Sequence, residues 1–454
     1  MSGRAEGVNV LQIGPMADVI DVTRLGLRKD GTSVYRAPYQ EKFCTAEHRD
    51  HEQYLVDSAI LPVRQRITAA DAEAALAGTD LDYSQREACL GLLTSARLIN
   101  CLMAPAGTGK THVMAAFARA WAQITGGRII GLTASTNAAR VMADEAGRAG
   151  APMETYNLAQ FLGKIKDSDE TRGHVPVNPG DVLVVDEASQ VSTEDALRVA
   201  QIARRNGAMV IGTLDPEQLG SVDAGGIFRL IAAKHGSYKL TEVRRFTHAW
   251  ERDASLRLRK GDVSALADYA ARGRVYHGPQ DRVFDEAVML FLNGYLDGQD
   301  ALLMATSNAT ARRLAALVRE RLIELGKVSP AAEVTLADGN QAGRGDLIRA
   351  RLNTKIDADG QSLANRDVVR LESVQDSAYG RLAVVRRRIS ASEWSRAFFV
   401  QLAYLESDAE LAYAGNVHVA QGATVDRGHL VVDAGANRSL VYTGATRGRE
   451  KNTF

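Results

Sequence analysis

The chain has 454 residues, 45% of them apolar, and its 55 Lys and Arg balance 55 Asp and Glu. This excludes a disordered or collagen-like chain, allows two or three domains, and means that any nucleic acid must be met by a local basic channel rather than by net charge. Cys44, Cys89 and Cys101 have no paired short spacing, which argues against zinc and disulfide frameworks and fits a reducing cytoplasm. The opening MSGRAEGVNV lacks a basic-then-apolar signal, and no apolar run approaches the roughly 18 residues of a membrane span.

Residues 1–80 carry little chemistry. A mixed segment to Tyr39 is followed by a helical pattern through His48, Glu52, Leu55 and Leu61, then by an Ala-rich charged helix around Asp71 to Leu76. They read as an appended region. In DYSQREAC, Gln85 starts a helix, and its amide either grips an adenine edge or is an ordinary helix-start group.

The apolar run Leu98 to Met103 reads as a buried strand, and Val113, Phe117 and Trp121 share one helical face. Between them stands APAGTGKT, Ala104 to Thr111. Strand, glycine loop and helix form the context of a phosphate-binding loop. The backbone from Ala106 through Gly107, Thr108 and Gly109 to His112 can wrap phosphates at a positive helix N-terminus. Lys110 reaches the β and γ oxygens, and the Thr111 hydroxyl is placed for Mg²⁺. Ala104 stands where the first Gly of the pattern is usual, which a residue of negative φ tolerates.

From the loop to Phe246 the pattern alternates, with strands expected at Arg128 to Thr133, Val182 to Asp186, Met209 to Thr213 and Tyr238 to Thr241. This predicts an open, mostly parallel sheet covered by helices, with ligands at the strands' carboxyl ends. Asp186 and Glu187 lie at such an end: the first can hold Mg²⁺, the second can orient or deprotonate water. Gln218 in LDPEQL is either a γ-phosphate contact or a loop amide. Arg245 in LTEVRRF is either an arginine finger or part of a surface pair.

After Phe246, helical patterns at Trp250 to Arg259, Val263 to Ala271 and Phe284 to Tyr295 lead to a strand at Ala301 to Ala305 and a helix capped by Thr306 or Ser307. Residues 331 to about 400 change to short β-like runs, including Asp367 to Leu371 and Arg381 to Arg387, and read as an inserted β domain. Its Arg386, Arg387 and Arg388 form either a phosphate-backbone contact or a solvated charged edge. Strands are expected again at Gly428 to Val432 and Leu440 to Thr443.

In order, these stretches resemble the motif series of superfamily 1 helicases, in the RecD-like branch that includes the helicase parts of conjugative relaxases. The resemblance covers about residues 80 to 454. Gln85 matches the adenine-reading glutamine and APAGTGKT motif I. GLTASTNAAR, with Thr133, Ala134 and Thr136, is similar to motif Ia of the single-strand channel, and TYNLAQFL, with Thr155, to motif Ib. Asp186 and Glu187 match motif II, Gln218 motif III and Arg245 the motif IV arginine. HVAQGATVD, with His418, Gln421 and Thr424, resembles motif V, and YTGATRGR resembles motif VI, supplying Arg447 as a second finger. Leu214-Asp215 departs from the usual Gly-Asp of motif III, and Thr424 replaces a Glu frequent in repair-type members.

The resemblance implies an α/β fold of two RecA-like P-loop units, 81–246 and 247–454, the second with the β-rich insertion at about 331–400. It implies ATP and Mg²⁺ as cofactors, single-stranded DNA as partner, and a cytoplasmic 5′ to 3′ DNA helicase or translocase of the conjugative type, working with transfer machinery or a separate relaxase domain. No nicking histidine triad is found in residues 1–80, so the chain reads as a fragment without its relaxase. A RecD-like repair helicase and a non-catalytic ATP-binding DNA anchor are the competing readings.

Overall fold

The computed structural model describes residues 10–12, 43–166, 175–220, 225–355, 362–378, 380–389 and 393–454. Two parallel sheets organise the chain. The first has six strands in the order Met153–Asn157, Ile129–Thr133, Val182–Val185, Met209–Leu214, Ile99–Met103 and Tyr238–Lys239, every pairing parallel. Its central strands are buried at every position except the partly exposed Met103, as expected of a sheet with both faces covered. The second has four parallel strands, Ala414–Asn416, Ala301–Ala305, Val425–Val431 and Gly448–Thr453.

The helix Lys110–Thr125 seals the first sheet because Val113, Phe117 and Trp121 recur on one face and are at most 1% exposed. Phe117 stacks on Trp121 with centroids 5.6 Å apart, and the indole N–H donates to the Gly180 carbonyl at 2.9 Å. Burying such side chains contributes roughly 1.5–3 kcal/mol each. The helix whose first turn holds the phosphate loop is thereby fixed to the sheet that positions the acidic residues.

The appended reading of residues 1–80 changes where they are described. In the helix Ala46–Ala59, Leu55, Val56 and Ala59 are buried in the core of the first sheet. The helix Ala69–Ala75 adds Ala72 to the core around the phosphate-loop helix, and Leu76 follows it there. Residues 46–76 thus complete the covering of this sheet. The mixed segment to Tyr39 lies mostly outside the described residues.

The β-rich stretch forms a five-stranded antiparallel sheet in the order Trp394–Gln401, Gly380–Arg388, Val368–Ser377, Leu347–Ala350 and Ala409–Leu411. It extends past residue 400 to Leu411 and shares one continuous core with the helices Gln280–Leu296 and Asn308–Glu324. Arg386 faces Glu372 at 3.5 Å, Arg387 faces Asp367 at 3.4 Å and Arg388 faces Asp300 at 3.0 Å. The three arginines therefore have carboxylate partners within the protein, on a strand paired on both sides rather than at the sheet's edge, while Arg386 stays 44% exposed and so solvated as well as paired.

One expected strand is a helix. Leu440 to Thr443 lies inside the helix Arg438–Ala445, whose N-cap Asn437 accepts the Leu440 N–H at 2.9 Å. The β-branched Val441 and Thr443 favour a strand locally, and the Asn cap together with burial of Tyr442 and Ala445 against the helices Ala249–Arg259 and Ala265–Ala270 overrides that preference.

Burial pushes the thiols of Cys89 and Cys101 each up to about 12, whereas Cys44 is partly exposed. A thiolate-directed reagent at neutral pH should label Cys44 in the folded protein and all three cysteines after denaturation, read by intact mass. Native labelling of three would contradict this packing. Among the described residues, no helix is long and apolar enough to cross a membrane.

Candidate nucleotide site

Neighbouring strands of the first sheet end side by side, and their loops meet at the phosphate loop. Gly107 and Gly109 both have φ +80, and a Cβ would lie 2.3 Å from the Arg245 Cβ at the first and 2.6 Å from the Gln85 Nε2 at the second. Only glycine fits both the backbone and the space. The Gly107 carbonyl accepts from the Arg244 and Arg245 N–H groups at 2.7 and 3.1 Å. The segment carrying Arg245 is thus tied directly to the loop.

Gln85 is 1% exposed and engaged within the protein. Its Nε2 donates to the Thr108 carbonyl at 3.1 Å, and its Oε1 accepts the Asp82 N–H at 3.2 Å while Asp82 caps the Gln85 N–H at 2.8 Å. The capping box explains the helix start and makes the amide a brace for the loop. Thr108 donates its hydroxyl to the Pro105 carbonyl at 2.9 Å. Thr111 stands in the first turn of the helix Lys110–Thr125, and the exposed His112 has its Nε2 2.7 Å from the Asp80 carbonyl.

Lys110 Nζ lies 2.6 Å from Asp186 Oδ1, the same oxygen that accepts the Thr213 hydroxyl at 2.6 Å. Burial works to lower the Lys110 pKa, and the charges of Asp186 and Glu187 outweigh it, so the ammonium is held above its ordinary value. Burial would raise the Asp186 pKa, but Lys110 and the hydrogen bonds hold it lowered. Thr213 was not singled out from the sequence; its signal is a hydroxyl at the end of the strand beside the acidic pair.

Glu187 has a left-handed backbone, φ 50, and accepts from Gln190 Nε2. The second sheet reaches it: an ideal Cβ on Gly422 would sit 3.7 Å from Glu187 Oε1. Its charge also acts on Lys110, Arg245, Arg366 and Arg447. With Asp186 paired to Lys110, the cations here still outnumber the carboxylates, which suits a polyphosphate.

Arg245 Nη1 donates to the Thr446 carbonyl at 2.6 Å. Burial first, then the charge of Arg447, pushes its pKa down. Arg447 is 2% exposed and donates to the Thr443 carbonyl at 2.8 Å, the Ala423 carbonyl at 3.4 Å and the Thr446 hydroxyl at 2.9 Å. Burial also lowers its pKa, opposed chiefly by Glu187. Both arginines are therefore at the centre where the two sheets meet.

Beside them lies a hub built on Asp215. Its Oδ1 takes the Arg259 fork at 3.0 and 2.9 Å, and its Oδ2 accepts the Tyr442 hydroxyl at 2.8 Å and Gln218 Nε2 at 3.2 Å. The Tyr442 oxygen in turn accepts the Ala106 N–H at 3.3 Å. The Leu214-Asp215 pair thus gives an ordered acidic hub, and Gln218 is held by it. Tyr442 was missed because the expected strand there hides a helix that aims its phenol at the phosphate loop.

The residues expected at DNA divide. The Thr133 hydroxyl donates to the Ser135 carbonyl at 2.9 Å and the Thr155 hydroxyl to the Ala139 carbonyl at 2.8 Å, so both are engaged internally. Ala134 and His418 are exposed, Thr424 is half-buried and Gln421 is 7% exposed. The Thr136 hydroxyl is buried without a partner among the described residues.

A family model described as an AAA domain matches residues 80–280. The chain is similar to a probable conjugal transfer protein TraA of Sinorhizobium fredii, 29% identical over 79% of this chain and 31% of that protein. It spans about a third of that relative's length. It is also similar to the RecBCD enzyme subunit RecD of Mycolicibacterium smegmatis, 32% identical over 27% of this chain and 23% of that one. The fold is like that of a Pif1 helicase from Bacteroides, with a TM-score of 0.50 and 15% identity over 82% of this chain and 92% of that one. The chain is thus similar to TraA over most of its length and to RecD over a shorter stretch, and its two parallel-sheet α/β units have a fold like that of the Pif1 helicase.

Proposed function

We propose that the chain is an ATP-driven helicase or translocase that moves 5′ to 3′ along single-stranded DNA, of the kind that serves conjugal DNA transfer. The observation that carries this is the bridge from the phosphate loop of one unit to the other: Ala106 N–H to Tyr442, and Tyr442 to Asp215. A loop so connected makes the relative placement of the units depend on what the loop binds. ATP draws them together, hydrolysis releases them, and alternating grip advances the strand.

Lys110, the loop backbone, Arg245 and Arg447 receive the phosphates, Glu187 orients and deprotonates water, and Gln218 and Asp215 report the γ-phosphate to the second unit. Gln85 braces the adenine side of the loop. Thr111 and Asp186 supply the hydroxyl and carboxylate that would hold Mg²⁺, whose charge would offset that of the phosphates. Thr133, Ala134, Thr136, Thr155, His418, Gln421 and Thr424 mark the course of the strand. The Pif1 structure with ADP-AlF3 and single-stranded DNA supports the pairing of these two ligands on one fold. A transfer apparatus and a relaxase domain are the proposed partners and the cytoplasm the proposed setting. The longer TraA match favours transfer over repair.

The test is ATP hydrolysis by the purified chain with and without single-stranded DNA, across a salt series. Turnover should rise with DNA, and the DNA dependence should weaken as salt increases, because a few phosphates are held in a local channel of a formally neutral protein. Turnover indifferent to DNA would leave an ATPase of another kind. DNA binding without hydrolysis would leave the anchoring module.

A further inference from the structure

The insertion and the loop 416–424 are both fixed to the second sheet. Arg349, in the insertion strand Leu347–Ala350, donates to the Ala414 and Ala412 carbonyls, each at 3.2 Å, and to Glu410 at 2.9 Å. Asn416, at the end of the strand Ala414–Asn416, accepts the Val419 N–H at 2.9 Å and so starts the loop that carries His418, Gln421 and Thr424. Loop and insertion are therefore carried by the second unit.

Both reach back to the first sheet, at neighbouring strands. An ideal Cβ on Gly422 would lie 3.7 Å from the Oε1 of Glu187, just after the strand Val182–Val185. Arg140, in the helix that follows Ile129–Thr133, has its Nη2 3.2 and 3.3 Å from the two carboxylate oxygens of Asp367 in the insertion. The two strands pair directly, with Leu132 opposite Val185. First unit, loop, second sheet and insertion thus form a closed ring of contacts. From the strand's end to Arg140 the chain runs through Ala134 and Thr136, the latter one helical turn before Arg140 and on the same face. The ring is therefore built on the residues assigned above to the course of the DNA strand.

The junction of Arg140 with Asp367 can open from one side. The Asp367 side chain is 3% exposed and keeps other partners: it accepts the Ala364 N–H at 2.9 Å and faces Arg387 at 3.4 Å. Arg140 has a side chain 44% exposed, and its partner stands 227 positions away. When Arg140 leaves, water solvates it and the buried carboxylate still has a cation, so no buried charge is stranded. An ion pair with one half in water adds little to stability. It suits opening and closing better than holding the fold.

We propose that Arg140 and Asp367 are the clasp of a ring around the single strand. The insertion closes over DNA held between the units, and a strand without a free end enters or leaves only when the pair parts. This rests on the single-stranded DNA reading above and adds to it the way the strand is retained.

The test compares a labelled single-stranded circle with a linear strand of the same sequence and length, without nucleotide. Release into excess unlabelled DNA is followed for the parent, Arg140→Ala, Arg140→Lys, Asp367→Asn and the double variant Arg140→Ala with Asp367→Asn. Melting temperature and the salt dependence of affinity for the linear strand are measured beside it. The parent should release the circle about 5-fold or more slowly than the linear strand, within the range of coupled ion pairs. Arg140→Ala and Asp367→Asn should each remove most of that difference by speeding release of the circle, and the double variant should go no further. Lys, which keeps the charge, should retain part of it.

Asp367→Asn separates the clasp from a direct phosphate contact by sign. If Arg140 simply bound a phosphate, its loss would lower the salt slope by about one, and freeing it from Asp367 would tighten DNA binding; that pair of results would overturn the inference. Faster release matched by lowered melting in every variant would make the pair structural and overturn it too. If the parent binds neither DNA, the single-strand reading fails and this one with it. If the parent binds both and releases them at one rate, this one alone fails.

Discussion

Glu187→Gln should bind ATP as the parent does and hydrolyse it about 10²- to 10⁴-fold more slowly, the usual contribution of a positioned general base. The amide matches the carboxylate in size and keeps an oxygen to accept from Gln190, so the left-handed turn has no reason to move. It cannot take a proton from water. The neighbouring pair behaves differently: Lys110→Ala leaves Asp186 without the ammonium 2.6 Å away and takes the loop's own side-chain charge from the phosphates. Nucleotide binding and turnover should then fall together. Equilibrium binding of a fluorescent ATP analogue beside single-turnover hydrolysis separates the two patterns. Parental turnover in Glu187→Gln would remove Glu187 from the chemistry.

The contrast between these acidic residues shows what could be read from the sequence. Asp186 and Glu187 follow four apolar residues, and APAGTGKT lies between an apolar run and a helical face, so the local pattern already implies strand ends and a phosphate loop. The arrangement of partners was less legible, because it depends on strand order. Thr213 meets Asp186 because Met209–Leu214 is laid beside Val182–Val185. Asp215 becomes a hub because residues 44 and 227 positions away come to it (259 − 215, 442 − 215). Leu440 to Thr443 misled because β-branched residues outweigh a single Asn when the burial of Tyr442 is unseen. Gln85 was placed correctly at a helix start, but burial turns its amide inward to the loop.

Arg447→Ala should abolish most DNA-stimulated turnover. Arg447 lies 337 residues from Lys110 (447 − 110), and an effect on hydrolysis reaches it only if both units share one nucleotide. The structure supplies the means: Arg447 is buried beside Arg245 and feels the charge of Glu187. It has no carboxylate at hydrogen-bond distance among its described partners, only the Thr443 and Ala423 carbonyls and the Thr446 hydroxyl. A guanidinium held by neutral acceptors in a desolvated place favours the arrival of negative charge, and the transferring phosphoryl group provides it. Arginine fingers contribute roughly 10³ to 10⁵ in rate, about 4–7 kcal/mol of barrier. Truncation also leaves those acceptors unpaired, at about 1–3 kcal/mol of stability each where no water reaches them, so the melting temperature of Arg447→Ala must be followed alongside turnover. Arg447→Lys resolves the ambiguity. It keeps the charge and part of the packing but lacks the planar fork, so it should melt closer to the parent and still recover little turnover. Nucleotide affinity, set mainly by the loop of the first unit, should change far less than the rate in both variants. Parental turnover in either variant would mean that the second unit takes no part in hydrolysis, and a loss of affinity as large as the loss of rate would make Arg447 a brace for the loop.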